Sequence, residues 1–327
     1  MKKFINDRNN IVEEMIQGII KTNKKLKRVE GFNVVVDANF DQNKVALVCG
    51  GGSGHEPAHM GFVGKGMLSG AVAGAIFTSP TPDQVEAAIN ALDSKAGTLL
   101  IIKNYTGDKL NFEIAQQLAQ AQGKEVETVL VQDDVAVENS TWSIGRRGIA
   151  GTVFVHKIAG AAAQKGLNLQ EVKRVAQKVS DNVRSFGISL NSIIIPTTGK
   201  ESFSLGEKEV EFGLGIHGEP GIKREQVKSS KEMVEEMIDL ILKDYDFNNS
   251  EVALMVNGLG GTPESELFIA TNDAHNYLNS KNIKIYSSHV GNFMTSLEMQ
   301  GLSISLLKLD AELKELLDQE TEVKNWK

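Results

Sequence analysis

Gly50-Gly51-Gly52-Ser53-Gly54-His55-Glu56-Pro57 decides how the rest of the chain reads. Just before it, Lys44-Val45-Ala46-Leu47-Val48-Cys49 is a short apolar run, the pattern of a strand buried in a parallel sheet. The strand is expected to stop at Cys49 and open into a glycine-dense turn that also carries Ser53, His55, Glu56 and, further on, His59. Glycine lets the backbone take positive φ and lets a ligand approach the main chain closely. Open α/β sheets bind ligands just beyond such strand ends. A bare Gly-Gly-Gly reads equally well as a plain turn; the polar side chains gathered here favour binding. The loop lacks the Lys-Ser/Thr ending of a P-loop, and His55 and Glu56 crowd the positions where the helix of a G-x-G-x-x-G motif would pack. A small polar molecule with an imidazole at its mouth fits better than a nucleotide.

Outward from this stretch the pattern alternates between strand and helix. Upstream, Asn9 to Asn23 carries Ile11, Met15, Ile16 and Ile19 at helical spacing, and Phe32 to Val36 is a strand candidate. Downstream, Thr81 is a plausible N-cap with Pro82 at the first helical position of a helix through Leu92. Thr98 to Ile102 and Val126 to Val131 are further buried strands. The first ends in Lys103-Asn104-Tyr105-Thr106-Gly107-Asp108, with a helix from Asn111 to Gln120, and the second in Gln132-Asp133-Asp134. Polar residues collect after each strand, on the expected binding face of a parallel α/β sheet. Within Ser143 to Gly151, Arg146 and Arg147 read either as surface arginines or as salt-bridge anchors for an acidic loop. Gly151 to Gly166 and Leu169 to Asn182 are helices.

The fold class is therefore α/β with two α/β domains, each a largely parallel or mixed sheet flanked by helices. The first spans 1–185 and the second 186–327. In the second, Ile188 to Ile195, Val210 to Ile216, Glu251 to Asn257, Ile283 to Ser287 and Leu302 to Leu309 read as strands. Lys231 to Leu242, Glu264 to Asn279 and Asp310 to Leu317 read as helices. No internal repeat stands out.

The 327 residues are ample for a core; 41% are hydrophobic and 24% charged, ordinary for a globular protein. A net charge of −7 argues against direct nucleic-acid binding. The single cysteine, Cys49, excludes an internal disulfide and fits a reducing cytoplasm. No apolar run is long enough to span a membrane, and the first residues lack the apolar core of a signal peptide.

Three groups carry candidate chemistry: His55 with His59, Lys103 with Asp108, and His217 within Gly215-Ile216-His217-Gly218. A histidine between glycines is open on both sides, which suits a nucleophile that must admit a substrate. A neutral imidazole can add to a small ketone to give a hemiaminal if the ketone oxygen is polarised or protonated. Asp108 and His55 can exchange protons with substrate hydroxyls. Lys103 and the amides of Gly52 and Ser53 can hold oxygens. His55 and His59 are four apart, but Pro57 lies between them and no zincin pattern follows, so no metal is expected.

The stretch 50–57, together with Gly64-Lys65-Gly66-Met67-Leu68, Phe77-Thr78-Ser79-Pro80, Lys103-Asn104-Tyr105-Thr106-Gly107-Asp108, Gly145-Arg146-Arg147-Gly148 and Gly215-Ile216-His217-Gly218-Glu219-Pro220-Gly221, resembles the dihydroxyacetone-binding subunit (DhaK) of dihydroxyacetone kinases. The resemblance runs from Met1 to about Trp326. It implies two α/β domains, a homodimer, and dihydroxyacetone held as a hemiaminal on His217. It also implies substrate contacts from Gly52, Ser53, Gly54, His55, Lys103 and Asp108, with His55 and Asp108 in proton transfer. No cofactor is implied. Without a nucleotide-binding domain the chain is expected not to use ATP alone. In the phosphoenolpyruvate-dependent system, a separate subunit (DhaL), recharged by DhaM, supplies the phosphate. The family also contains a coactivator paralogue (DhaQ), which captures the ketone and acts on a TetR-like transcription factor (DhaS). Cys49, Met60, Ile193, Thr197, Thr198 and Glu201 depart from the kinase pattern beside the site, and Met60 is expected to narrow the mouth a donor subunit enters. The sequence expectation is therefore a ligand sensor of the coactivator type, with the kinase subunit as the alternative.

Overall fold

The chain was analysed as a computed structural model, which describes residues 2–137, 145–219 and 221–326. Ser143, the start of the arginine segment, and Pro220 of the histidine motif lie outside the described residues.

The first unit opens with α1 (Ile11–Thr22), β1 (Leu26–Arg28), β2 (Val34–Asp37), β3 (Ala46–Ser53), β4 (Gly70–Ile76), α2 (Pro82–Leu92), β5 (Thr98–Lys103), α3 (Thr106–Ala121) and β6 (Val126–Val131). Helices α4 (Thr152–Gln164) and α5 (Leu169–Asn182) follow. The second sheet is built from β7 (Val183–Ser189), β8 (Glu209–Phe212), β9 (Lys223–Gln226), β10 (Glu251–Gly258), β11 (Lys284–Gly291) and β12 (Gly301–Leu309). Helices α6 (Ser230–Asp244), α7 (Glu264–Ser280) and α8 (Ala311–Leu317) accompany it.

Both sheets are mixed and six-stranded, ordered β1-β2-β4-β3-β5-β6 and β11-β10-β12-β7-β8-β9. In the first, β4, β3, β5 and β6 pair in parallel, and β2 pairs antiparallel with both β4 and β1. In the second, only β10 and β11 pair in parallel. Alternation along each strand gives every sheet two apolar faces. The outer face of the first packs on α2 and α3 (Val48 and Leu100 against Ile89 and Phe112), and that of the second on α6 and α7 (Leu254 and Ile304 against Ile238 and Leu267). The inner faces share one core through α4 and α5, where Leu47 and Ile101 meet Phe154, Val172, Met255 and Leu307. Helix α4 is buried along Thr152–Ala163, as a helix between two sheets must be.

Several element readings change. Strand β3 does not stop at Cys49 but runs through the glycines to Ser53, because β4, itself built of Gly and Ala, pairs with it from Gly70 to Ile76. Helix α3 starts at Thr106, not Asn111, so Asp108 sits in its first turn rather than in a loop. Strand β7 follows α5 directly at Val183, so the division expected between 185 and 186 falls inside it. Strands β1 and β9 are additional; β9 is Lys-Arg-Glu-Gln, a polar edge with no apolar pattern to announce it.

Candidate functional site

The site forms where the first sheet reverses its winding. Strand β3 pairs with β5 only as far as Cys49, opposite Ile101, while β4 continues alongside to Ser53. Beyond Cys49 the two strands part, in the crevice that doubly wound sheets use for ligands. The Lys103 ammonium fills the gap. It donates to the Gly50 carbonyl at 2.8 Å and to His59 Nε2 at 3.1 Å, and pairs with Asp108 at 3.3 Å, all in buried surroundings. The glycines are a matter of space. A Cβ on Gly51 would lie 2.3 Å from Lys103 Nζ, and one on Gly52 would lie 2.6–2.8 Å from the backbone of Phe77 and Thr78.

His55 is fully buried, and its loop is clipped to the second sheet by the segment between β11 and β12. Thr295 N–H donates to His55 O and Leu297 N–H to Gly54 O. The Thr295 carbonyl lies 2.8 Å from His55 Nδ1. A carbonyl only accepts, so Nδ1 carries the proton and Nε2 keeps its lone pair. That Nε2 is buried without a partner. Burial above all, then the neighbouring His217 and Lys103, hold His55 well below the usual histidine range, so it is neutral.

His217 lies after β8, its side chain 16% exposed. Its ring stands edge-on to His55, Phe77 and Tyr105, with centroids 4.8, 5.3 and 4.6 Å away. Glu219 fixes it: one carboxylate oxygen accepts the His217 backbone N–H at 3.0 Å and the other lies 3.2 Å from Nδ1. Burial alone would raise the Glu219 carboxyl; His217 and Arg147 outweigh it and bring it down to about 2. An ionised carboxylate at Nδ1 accepts the ring N–H there and leaves the Nε2 lone pair free to act as a nucleophile.

Arg147 ties the histidine loop to the first unit. It is fully buried, pairs with Asp134 after β6 at 2.6–2.7 Å and donates to Gly213 O at 2.7 Å. The reading of this segment as a salt-bridge anchor for an acidic loop is the one that holds for Arg147. Arg146, partly exposed, pairs with Asp244.

All the expected site residues thus converge on one crevice: the β3 end with Gly52, Ser53, Gly54 and His55, the β5–α3 junction with Lys103 and Asp108, and His217 from the second unit. The Ser53 hydroxyl is engaged, donating to Gly74 O at 2.7 Å, so the role expected of Ser53 rests on its main-chain amide. Glu219, Thr295, Phe77, Tyr105 and Arg147 complete the site without having been assigned roles in it. For Glu219 a signal existed, an acid two residues from a glycine-flanked histidine. A cavity of about 650 Å³ opens on the other side of the glycine strand, lined among others by Gly51, Gly52, Glu56 and His59 but not by His217.

Fold and site together define a two-sheet α/β protein with a carboxylate-held histidine facing a glycine-lined strand end. The chain belongs to the Dak1 domain family, whose model matches residues 17–325. It is 47% identical over 314 residues to the PTS-dependent dihydroxyacetone kinase 1, dihydroxyacetone-binding subunit DhaK of Listeria innocua, covering 95% of both chains. It is 46% identical to the corresponding subunit of Lactococcus lactis, covering 99% of each. Among solved structures, the dihydroxyacetone kinase of C. freundii superposes with a TM-score of 0.92 at 38% identity; this chain is 99% covered and spans 60% of that one. The dihydroxyacetone kinase operon co-activator DhaQ also superposes at 0.92, with 34% identity and 96% and 98% coverage.

Proposed function

We propose that this chain is a dihydroxyacetone-binding kinase subunit that holds the ketone as a hemiaminal on His217. The carrying observation is the Glu219–His217 pair facing the unpartnered His55 Nε2. Nε2 of His217 adds to the carbonyl carbon, an N–C bond forms, and the C=O π pair moves to oxygen, which takes up a proton. The ring would become cationic; the Glu219 carboxylate at Nδ1 stabilises that charge or accepts the Nδ1 proton. His55 Nε2 accepts from one substrate hydroxyl, and Asp108 with Lys103 and the amides of Gly52 and Ser53 holds the other end.

The relatives' names support the kinase reading over the sensor expected from the sequence. Identity is 46–47% to two kinase subunits and 34% to the coactivator structure. The physical basis for a sensor also weakens: Met60, though it lines the cavity at His59, is 4% exposed and packed in the first core, and Ile193 is fully buried. On this reading the chain works as a homodimer in the cytoplasm, meets a DhaL-type donor recharged by a DhaM-type protein, and phosphorylates no substrate alone. The sensor reading keeps one observation, the 0.92 superposition on the coactivator; its partner would be a TetR-like transcription factor of the DhaS type.

Carbonyl-labelled dihydroxyacetone followed by carbon NMR tests capture: the ketone signal is expected to move into the range of a tetrahedral carbon, and His217→Ala to abolish the change. Adding DhaL, DhaM and the phosphotransferase proteins tests the role. Turnover supports the kinase reading; capture without turnover overturns it in favour of the sensor. No capture overturns both. Sedimentation decides the dimer.

A further inference from the structure

Behind Lys103, three metal-ligating side chains, one soft sulfur and two imidazoles, meet in the shared core. Cys49 is the last β3 residue paired with β5. His59 follows the glycine loop, and His156 projects from α4 between the sheets. One ligand atom from each lies within 4.8 Å of the other two, and all three residues are buried. The cluster is poorly satisfied. His59 Nδ1 and both ring nitrogens of His156 have no hydrogen-bond partner, nor does the hydroxyl of Thr152, one turn before His156. Cys49 Sγ lies 3.9 Å from His59 Nε2 and near the Gly50 backbone N–H. Buried polar atoms without partners are rare and each needs a reason.

Hydration is one way to satisfy them, but the atom types point further. A cysteine sulfur and two imidazoles within a few ångströms form the donor set of soft, late transition metals. Burial and nearby positive charge keep His59 well below the usual histidine range, and burial with Lys103 brings His156 to about 3, so both offer free lone pairs. The charge of the ion is selected by Lys103, whose ammonium lies 3.1 Å from His59 Nε2. A dication with one thiolate adds a net positive charge beside that ammonium in a low-dielectric core; a monovalent ion with one thiolate adds none. The cavity of about 650 Å³ reaches the edge of the cluster at His59.

We propose that Cys49, His59 and His156 form a binding site for a soft monovalent cation, copper(I). On binding, the Cys49 thiol releases its proton to solvent, an S–metal bond forms, and the two imidazoles donate nitrogen lone pairs. His59 Nε2, the nitrogen that faces Cys49, is also the acceptor of Lys103. Metal and Lys103 therefore compete for one lone pair, and binding frees the lysine from one of its three partners beside the substrate crevice. Copper(I) is thus an antagonist of substrate capture. That consequence, unlike the site, rests on the function proposed above.

The test is anaerobic titration of the full reduced chain with copper(I) against the chelator bicinchoninate, with X-ray absorption on the loaded protein. Expected are one copper per chain drawn from the chelator and a first shell of one sulfur and two imidazole nitrogens. Cys49→Ser and His156→Gln each weaken binding by more than about 100-fold, since a lost ligand costs more than a lost supporting contact. His217→Ala keeps copper binding intact while abolishing capture, so failure of the proposed function and failure of the site are told apart. Copper left on the chelator, a shell without sulfur, or unchanged binding in both variants overturns the site. An equal or tighter hold on zinc(II) overturns the choice of a monovalent ion. Should Cys49→Ser not fold, the absorption spectrum of the unaltered chain decides alone. Unchanged dihydroxyacetone capture in the copper-loaded protein overturns the antagonism.

Discussion

The Glu219 carboxylate grips His217 twice, once at the backbone N–H and once at ring Nδ1, 3.0 and 3.2 Å away. The grip fixes both where the ring stands and which nitrogen is free. Glu219→Gln keeps the shape, but its amide can turn an N–H toward Nδ1 and favour the wrong tautomer. Capture of labelled ketone is expected to slow roughly 100-fold, with the melting temperature little changed. A Gln variant that captures at the normal rate would remove Glu219 from the chemistry.

Arg147 and Asp134 are both fully buried and bridge the two units at the base of the histidine loop. Removing one partner leaves the other charge stranded in the core. Arg147→Met is expected to cost about 3–5 kcal/mol in urea unfolding. The double variant Arg147→Met with Asp134→Leu should recover most of that loss, because no charge is then left unpaired. Equal losses in the single and double variants would show that the Gly213 contact, not the ion pair, holds the loop.

Much of this was readable along the chain, and the failures have physical causes. The strand at Lys44–Cys49, the polar strand ends and the glycine-flanked His217 follow from local pattern. The run of β3 through Gly50–Ser53 does not, because glycine is a poor strand former in isolation and only the equally small β4 makes the pairing possible. Asp108 reads as a loop residue because it lies in the polar run after the strand, yet the helix begins before it at Thr106, with Gly107 against Ser79, where a Cβ would come to 3.2 Å. The burial of Arg147 and the clip from Thr295 depend on contacts from residues 134, 213 and 55, distant in sequence. His156 carries a faint signal: it is one of three polar side chains, with Thr152 and Lys157, in the first two turns of a helix that is otherwise Gly, Ala and large apolar residues up to its last residue, Gln164.

Gly52 is expected to admit no side chain. A Cβ there would meet Thr78 N at 2.6 Å and Phe77 Cα at 2.7 Å, and backbone cannot swing aside as a flexible side chain would. Gly52→Ala should cost about 1–3 kcal/mol and displace Phe77, one of the rings walling His217. Capture is then expected to fall even at temperatures where the variant is fully folded, which circular dichroism and carbon NMR on one sample would report. Normal capture in a folded Gly52→Ala protein would show that the Phe77 wall is dispensable.

His55, His59 and His156 set the acid limit of the fold. Burial is the chief reason each is held below the ordinary histidine value of 6.5, His156 to about 3. The folded protein therefore refuses protons that the unfolded chain accepts. The sign follows: stability is full above pH 6.5 and is lost as the pH falls below it, continuing toward about 3 for His156. Each such histidine steepens the loss by up to about 1.4 kcal/mol per pH unit. Urea unfolding between about pH 7 and pH 5 should show a slope approaching three protons, reduced by about one in His156→Gln. Glu219 works in the same direction but lower on the scale. Its carboxyl sits at about 2 against an ordinary 4.5, so its contribution is present above 4.5 and lost only as the pH falls toward 2. A flat profile down to about pH 5, unchanged in His156→Gln, would mean that none of the three rings is held neutral by folding.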